Sequence, residues 1–296
     1  MPAQPAEWIE IEPRVVDEVV IGRDGTHIPI RRYGVRERVS LIWLHGGGFV
    51  DGSLDMPESD WVCRQLASRG IGVVAVDYRL APVPPLDEPR WQRIPQQVRE
   101  RWMRRSGGQR YPAAVHDVQD VLAWLGGNPV LGGASAGGAL AASVCSTAHA
   151  QGSALPSALA LVYSQAHSRL PEPAEELLTK LATLDAGEWI QFHSIEGLTL
   201  NYLGDAELLD DPRAFPGGHE LGFMPPALIV DAELDSLRAS GQLFATELRQ
   251  QGRTVEYVCE PGARHGFLNE PDEAARHTVA RLADWVLRHA GSVHAL

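Results

Sequence analysis

The stretch VLGGASAGG at Val130–Gly138 joins a short apolar run to an alanine-rich segment, and it decides how the rest of the sequence is interpreted. A Gly-x-Ser-x-Gly pentapeptide between a strand and a helix is typical of a nucleophile elbow. Glycines two residues before and after Ser135 allow the backbone to crowd into a strained turn that holds the hydroxyl outward. The amide of Ala136, at the helix N-terminus, would then point at an oxyanion. Taken alone, the pentapeptide also fits an ordinary Gly/Ser loop.

A second glycine-rich stretch, HGGGF at His45–Phe49, directly follows the apolar run Leu41–Leu44. Three successive glycines let bare amides approach a ligand, as the other half of an oxyanion hole requires. The alternative is a flexible turn, but a turn of this length that begins with histidine is unusual for a hairpin. We interpret His45 itself as a structural residue that holds the turn by hydrogen bonding, and not as a base.

A serine nucleophile needs a base, and the base needs an orienting carboxylate. In this kind of fold the expected chain order is serine, acid, histidine. His265 lies in the loop after the predicted strand Thr254–Cys259, and Asp235 lies just beyond the predicted strand Ala227–Asp231. Both are therefore expected at carboxyl ends of strands, where ligands bind in open α/β sheets. Ser135, Asp235 and His265 are the predicted catalytic residues.

Two other acids compete with Asp235 for the orienting role. Asp231 is expected within the strand, whereas Glu233 is nearer to the turn. We therefore rank Asp235 first and keep Glu233 as the reserve.

The wider pattern of apolar runs and helix-like periodicity predicts an α/β fold, with a mostly parallel central sheet flanked by helices on both faces. The predicted strands are Arg14–Ile21, Ile28–Tyr33, Ser40–Leu44, Ile71–Asp77, Pro129–Gly132, Ala158–Tyr163, Ala227–Asp231 and Thr254–Cys259, the first two forming an antiparallel hairpin at the sheet edge. The predicted helices are Pro57–Arg69, Ala113–Leu125, Ala136–Gln151, Leu237–Gln251 and Glu273–Ala290. Glycines 70, 126, 152 and 252 follow helix ends, where left-handed backbone favours glycine.

Two segments interrupt this alternation, and we expect both to form a helical cap on a single domain that spans residues 1–296. The first inserted segment is Pro82–Arg110, and the second is Ser168–Pro226. The second segment has helical patterns around Glu175–Leu184 and Glu188–Tyr202.

Composition excludes several classes of function. The chain has 296 residues and a formal net charge of -12, which disfavours binding to nucleic acid. No run approaches the about 18 apolar residues of a membrane-spanning helix, and the first residues lack a secretion signal, so we expect a cytoplasmic protein. The three cysteines, Cys63, Cys145 and Cys259, suit neither a disulfide framework nor a metal site, and we expect buried thiols. Lys180 is the only lysine.

Five motifs in this order resemble the bacterial hormone-sensitive-lipase-like esterases, the family IV carboxylesterases of the α/β-hydrolase fold. They are HGGGFVDGS at His45–Ser53, DYRLAP at Asp77–Pro82, the Ser135 elbow, DSLR at Asp235–Arg238 and HGF at His265–Phe267. The resemblance covers about residues 41 to 287. It implies that the amides of Gly47, Gly48 and Ala136 form the oxyanion hole, and it supports Asp235 as the catalytic acid.

The sequence departs from that family in three places. The residue before the nucleophile is usually aspartate, but here it is Ala134. Arg238 is usually followed by Asp-Glu, but here by Ala239 and Ser240. An insertion of roughly Pro84–Gln109 also separates the DYRLAP motif from Tyr-Pro-Ala at residues 111–113.

The insertion carries an apolar stripe at helical spacing, which predicts an amphipathic helix. The stripe consists of Trp91, Ile94, Val98 and Trp102, and the arginines around it are Arg90, Arg93, Arg99, Arg101, Arg104 and Arg105. The preferred interpretation is a helix packed on the body with a solvated arginine face. A sharper hypothesis is that the helix roofs the active site and that its arginines meet an anionic substrate or an acyl-carrier partner.

The sequence therefore predicts a serine hydrolase that cleaves short or medium acyl or other small-molecule esters and requires no cofactor or metal. An acyltransferase or a thioesterase-type enzyme would use the same triad, and a non-catalytic ligand-binding homologue is the remaining alternative. A homodimer is compatible with the sequence.

Overall fold

An eight-stranded sheet forms the centre of the structure, a computed structural model that describes residues 12–34, 39–87, 91, 96–105, 107–185 and 192–290. The strands are β1 (Val15–Ile21), β2 (His27–Tyr33), β3 (Val39–Leu44), β4 (Gly72–Val76), β5 (Val130–Ala134), β6 (Leu159–Val162), β7 (Ala227–Leu234) and β8 (Val255–Arg264), in the spatial order β1-β2-β4-β3-β5-β6-β7-β8. Only β2 runs antiparallel to its neighbours, so the predicted edge hairpin and the mostly parallel α/β sheet are confirmed.

Eight α-helices lie within the described residues. They are α1 (Asp60–Ala67), α2 (Gln96–Arg105), α3 (Ala113–Leu125), α4 (Ala136–Ala150), α5 (Glu175–Leu181), α6 (Phe192–Leu203), α7 (Arg238–Gln250) and α8 (Glu273–His289). Each of the predicted helix-end glycines adopts a positive φ, between 65° and 81°, as expected.

The prediction for α1 was wrong at both ends, because it placed the helix at Pro57–Arg69. At the N-terminal end, the main chain of Glu58 is engaged elsewhere. Its amide donates to Asn269 Oδ1 at 3.3 Å, and its carbonyl accepts from Trp43 Nε1 at 2.8 Å. The helix therefore begins two residues later, at Asp60.

Strands β5, β7 and β8 extend further than predicted. The ladder between β7 and β8 continues past Asp231 and Cys259 to a final pair at Leu234 and Arg264, after an irregularity in register. Pairing of main-chain groups, which does not depend on apolar side chains, extends these strands through polar residues. As a consequence Glu233 is the second-last residue of β7, still nearer to the turn than Asp231 as predicted, but within the strand.

Helices cover both faces of the sheet, as the buried runs predict. On one face Leu131 and Ile229 pack in a cluster with residues of α3, α4 and α7. On the other face Trp43 and Val230 pack with residues of α1 and α8. Strand side chains alternate between these two clusters, so both faces of the central strands are packed.

The two inserted segments meet in a third apolar cluster. Trp91 and Trp102 of the first segment are buried and pack edge to face, with ring centroids 6.1 Å apart. Tyr202 and Phe215 of the second segment surround Phe49, which stacks on Tyr202 at 3.9 Å. The part of the predicted stripe at Ile94 lies outside the described residues. The described helix α2 packs in this cluster through Val98 and Trp102, which confirms the apolar side of the preferred interpretation. Trp91 lies outside α2, so the predicted helical run from Trp91 is not confirmed.

The helices of the second inserted segment differ slightly from the predicted ranges. Helix α5 ends at Leu181, three residues before the predicted end, and the described part of α6 runs from Phe192 to Leu203. A short 3-10 helix follows at Ala206–Asp210.

Cys63 and Cys145 are buried, as predicted, but Cys259 is half-buried. Cys259 lies on β8, which is an edge strand and is covered less completely than the central ones. Within the described ranges, no helix is long and apolar enough to cross a membrane.

Candidate active site

Ser135 stands at the sharp turn between β5 and α4, in a conformation that side chains rarely adopt, with φ 53° and ψ -119°. The flanking glycines make this turn possible. A Cβ atom on Gly133 would lie 2.5 Å from the carbonyl carbon of Gly137, and one on Gly137 would lie 2.2 Å from the carbonyl oxygen of Leu44. The amide of Ser135 donates to the carbonyl of Val162 at 2.9 Å. The strained turn is therefore fixed by main-chain contacts on both sides.

The structure brings the three predicted catalytic side chains together. Ser135 Oγ lies 3.0 Å from Nε2 of His265, and Nδ1 of the same imidazole lies 2.7 Å from Asp235 Oδ2. Asp235 is buried, and its other oxygen accepts a hydrogen bond from the amide of Leu237 at 3.0 Å. A hydroxyl, an imidazole and a buried carboxylate in this order can pass a proton from the hydroxyl to the ring and stabilise the resulting imidazolium.

The competing acids contact other groups. Glu233 Oε1 lies 2.6 Å from Lys180 Nζ, and Glu233 Oε2 accepts a hydrogen bond from the amide of Gly262 at 2.7 Å. Asp231 is fully buried under α7, where a Cβ atom on Gly241 would lie 2.2 Å from its carboxylate. Burial raises the pKa of Asp231 well above its ordinary value. Neither acid is hydrogen bonded to His265.

Two carboxylates control the charge of the imidazole. Burial lowers the pKa of His265, but the charge and the hydrogen bond of Asp235, together with the charge of Glu58, raise it by more. The net result is a pKa above the ordinary value of 6.5. The ring is therefore a stronger base than a free histidine.

The glycine turn after β3 presents main-chain amides beside Ser135. Gly47 has a φ of 118°, and a Cβ atom there would lie 2.2 Å from the carbonyl oxygen of Asp51, so only glycine fits. Across the residues that the structure describes, the amides of Gly47, Gly48 and Ala136 donate to no protein acceptor. Free amides on two sides of a nucleophile are suited to bind an oxyanion.

His45 holds the glycine turn, in agreement with its interpretation as a structural residue. Its Nδ1 lies 2.8 Å from the carbonyl oxygen of Gly46, and its ring stacks on Tyr78 with centroids 4.3 Å apart. The Tyr78 hydroxyl donates to the carbonyl of His45 at 2.7 Å. One face of the imidazole and its Nδ1 are thus engaged by the turn and by Tyr78, and neither contact involves the nucleophile.

Sequence reasoning missed a group of buried residues behind the triad. Glu58 accepts hydrogen bonds from the amide of Gly46 at 2.7 Å, the hydroxyl of Tyr163 at 2.8 Å and Nδ2 of Asn269 at 3.1 Å. These partners are between 12 and 211 positions away along the chain, and no local spacing connects them. Glu58 is next to a proline, which in the sequence indicated only a helix start.

Two arginines of α2 make contacts with the described residues. Arg101 forms an ion pair with Asp51, which is buried directly after the glycine turn, and Arg99 donates to the carbonyl of Leu86, within the same inserted segment, at 3.1 Å. Arg104 is exposed. Arg90, Arg93 and the side chain of Arg105 lie outside the described residues.

No group of three or more His, Cys, Asp or Glu residues in the described part of the chain has the arrangement of a metal site.

Comparisons with known proteins agree with this geometry. The sequence matches the family described as alpha/beta hydrolase fold over residues 41–89 and 103–269, and the unmatched residues between them fall within the insertion. It is 31% identical to carboxylesterase NlhH of Mycobacterium tuberculosis over 272 residues, or 86% of this chain and 76% of that protein.

Two solved structures are similar throughout. EstE1, a thermophilic carboxylesterase cloned from a metagenomic library, has a TM-score of 0.75 at 28% identity. The alignment covers 94% of this chain and 90% of the EstE1 chain. Brefeldin A esterase, a bacterial homologue of human hormone sensitive lipase, has the same TM-score at 23% identity. Its alignment covers 98% of this chain and 80% of the esterase. At that identity the second likeness bears on the fold alone.

Proposed function

We propose that Ser135, His265 and Asp235 form the catalytic triad of this chain. The chain belongs to the hormone-sensitive-lipase-like carboxylesterases of the α/β-hydrolase fold, and it is a serine carboxylic-ester hydrolase. The single observation that carries this assignment is the continuous relay from Ser135 Oγ through the imidazole to Asp235, with contacts of 3.0 and 2.7 Å.

In the first half of the reaction, Ser135 Oγ attacks the carbonyl carbon of the ester while His265 Nε2 accepts the hydroxyl proton. Asp235 keeps the other ring proton on Nδ1, which leaves Nε2 free as the base, and it stabilises the imidazolium. The tetrahedral intermediate then collapses, and the imidazolium donates its proton to the leaving alcohol. The acyl group remains on Ser135 as an ester.

In the second half, the imidazole takes a proton from water, whose oxygen attacks the acyl carbon. The bond from that carbon to Ser135 Oγ then breaks, the imidazolium returns its proton to Oγ, and the carboxylic acid is released. In both halves a negative charge develops on the former carbonyl oxygen. We assign its stabilisation to the amides of Gly47, Gly48 and Ala136, assisted by the positive end of the α4 dipole. Loss of one such donor typically costs about 100- to 1000-fold in kcat.

We assign both inserted segments to a cap that shapes the substrate pocket. In support, a Cβ atom on Gly48 would lie 3.0 Å from Leu198 Cδ1, so α6 lies against the glycine turn. A roof this close to the oxyanion amides favours small esters with short or medium acyl groups. The ion pair of Arg101 with Asp51 favours a packing role for α2 over recognition of an anionic substrate or an acyl-carrier partner.

A fluorophosphonate probe tests the triad, because it labels only an activated serine. We expect one label per chain, on the tryptic peptide that contains Ser135. Ser135→Ala should abolish labelling and lower kcat for 4-nitrophenyl acetate or butyrate by about 10³-fold or more, with an unchanged circular dichroism spectrum. Ser153→Ala, at an exposed serine beyond α4, is the matched control and should keep both properties. Ester hydrolysis at the original rate in Ser135→Ala would refute the assignment.

A further inference from the structure

Glu58 is a buried acid that the reaction described above does not use. It is 2% exposed, and it lies in the turn before α1, outside the three catalytic loops. Every side-chain contact that it makes is with a donor, namely the Gly46 amide on Oε1 and the Tyr163 hydroxyl and Asn269 Nδ2 on Oε2. Three hydrogen-bond donors thus surround one carboxyl group. A buried charge is costly, so its presence here requires a reason.

The first of these contacts leads to the oxyanion amides. Gly46 directly precedes Gly47 and Gly48, and a Cβ atom on Gly46 would lie 2.5 Å from Glu58 Oε1 and 3.1 Å from Ser135 Cβ. Glu58 therefore anchors the start of the glycine turn from behind, at the point where the turn passes the nucleophile.

The other two contacts lead to the imidazole. The ring of Tyr163 packs edge to face on His265, with centroids 5.1 Å apart, while its hydroxyl donates to Glu58. Asn269 donates both to Glu58 and, at 3.2 Å, to the carbonyl of Gly266, the residue after the catalytic histidine. The same carboxylate thus connects the ring that contacts His265 with the loop that carries it.

The charges that face His265 come from two acids on different elements. Asp235 approaches Nδ1 from the end of β7, and Glu58 lies in the turn before α1. Tyr163 contacts both, since its hydroxyl donates to Glu58 and its ring packs against the imidazole. Both acids raise the pKa of the imidazole, and Tyr163 stays neutral because burial and Glu58 raise the pKa of its hydroxyl well above the usual value.

We propose that Glu58 is a positioning residue for ester hydrolysis, which holds the glycine turn and His265 in register and stabilises the imidazolium with a second negative charge. This inference rests on the proposed triad. It assigns to Glu58 an electrostatic effect that is separate from its hydrogen bonds, and the two can be measured apart.

Glu58→Gln removes the charge and keeps the size of the side chain. The amide oxygen can still accept from Gly46, and the Tyr163 hydroxyl can accept from the new amide. Asn269 Nδ2 loses this acceptor and keeps only the carbonyl of Gly266. We expect the acid limb of the kcat/KM profile to move down by about half a pH unit to one unit, since the imidazolium loses a favourable charge. We also expect kcat to fall by about 10-fold at the optimum, with KM changed by less than about 3-fold.

A second measurement does not depend on turnover. The downfield proton resonance of the hydrogen bond between His265 and Asp235 titrates with the imidazole, so its midpoint should fall in Glu58→Gln by the same amount as the kinetic midpoint. Asp55→Asn is the matched control, because Asp55 is a nearby acid that is 75% exposed and pairs with Arg31. Its removal should leave both midpoints unchanged, since solvent screens an exposed charge.

Tyr163→Phe separates hydrogen bonding from charge. It keeps the aromatic ring against His265 and removes only the hydroxyl, which leaves the charge of Glu58 less compensated. We expect the midpoint to stay in place or to rise, with a loss of thermal stability. This variant also tests the proposal if Glu58→Gln does not fold.

An unshifted midpoint in a folded Glu58→Gln, or a lower midpoint in Tyr163→Phe, would overturn the proposal and leave Glu58 as a purely structural residue. Failure of the triad itself gives a different result, in which Ser135→Ala retains hydrolysis and fluorophosphonate labelling moves elsewhere.

Discussion

The carboxyl edge of the sheet and the inserted segments above it are held by different interactions. At the sheet edge, buried carboxylates accept hydrogen bonds from main-chain and side-chain donors, as Asp235 does from Leu237 and Glu58 from Gly46. Helix α5 of the second inserted segment instead meets this edge through a half-exposed ion-pair network. Lys180 on α5 bonds to Glu233 on β7 at 2.6 Å, and Arg238 bonds to Glu176 on α5 at 3.1 Å.

This difference implies a division of tasks. Buried hydrogen-bonded charges have a low tolerance for change, because a lost partner leaves an unpaired charge in a medium of low dielectric. Exposed ion pairs contribute little each and weaken with salt. The position of the catalytic groups should therefore be insensitive to ionic strength, whereas the contact of α5 with the sheet should depend on it.

The largest expected contrast is between two acids on the same strand end. Asp235→Asn should lower kcat by about 10³- to 10⁴-fold, since the amide favours the wrong imidazole tautomer and removes the charge that stabilises the imidazolium. Glu233→Gln should lower it by less than about 5-fold, because Glu233 contacts Lys180 and Gly262 and not the imidazole. Steady-state kinetics on a 4-nitrophenyl ester measures both. If kcat falls equally in the two variants, the buried acid Asp235 has no larger role in the reaction than the half-exposed acid Glu233, and the comparison fails.

The pH dependence of the reaction provides the next test. The base must be neutral, and Asp235 and Glu58 raise the pKa of His265 in spite of its burial. The value of kcat/KM should therefore fall about tenfold per unit as the pH decreases through a midpoint above 6.5, and not through a lower one. The midpoint should not move between low and high salt, because both acids are buried. A midpoint of the kcat/KM profile that moves with salt would contradict the view that buried charges at the sheet edge are insensitive to ionic strength.

The smallest effect is expected for the ion-pair network itself. Lys180→Gln removes the only lysine of the chain, whose hydrogen bonds to Glu176 and Glu233 raise its pKa and keep it charged. We expect KM to rise by about 2- to 5-fold with little change in kcat, and we expect the salt dependence of KM to flatten. Kinetics at low and high salt measures this.

Arg169→Gln is the control for that experiment. Arg169 pairs with Asp210 within the second inserted segment and does not reach the sheet. If the salt dependence of KM changes in this variant as much as in Lys180→Gln, the effect is not specific to the contact between α5 and β7.

Much of the fold could be predicted because its signals are local. Helix α3 was predicted at its observed bounds, since an apolar periodicity ends there at Gly126. Strand ends were predicted less well, as for β7 and β8, because a strand continues as long as its neighbour pairs with it, and the pairing partner is not visible in the sequence. The same reason accounts for α1, whose first turn is diverted by contacts with Trp43 and Asn269.

The sequence by itself indicated the proposed reactive groups, because the elbow and the glycine turn each need small residues at fixed spacing around a strand end. It also ranked Asp235 above Glu233, although it could not show what Glu233 contacts. The tertiary structure alone decided that Glu58, Tyr163 and Asn269 form one hydrogen-bonded group behind the triad. The physical reason is that hydrogen bonds and charges act between atoms that folding brings together, across as many as 211 positions of the chain.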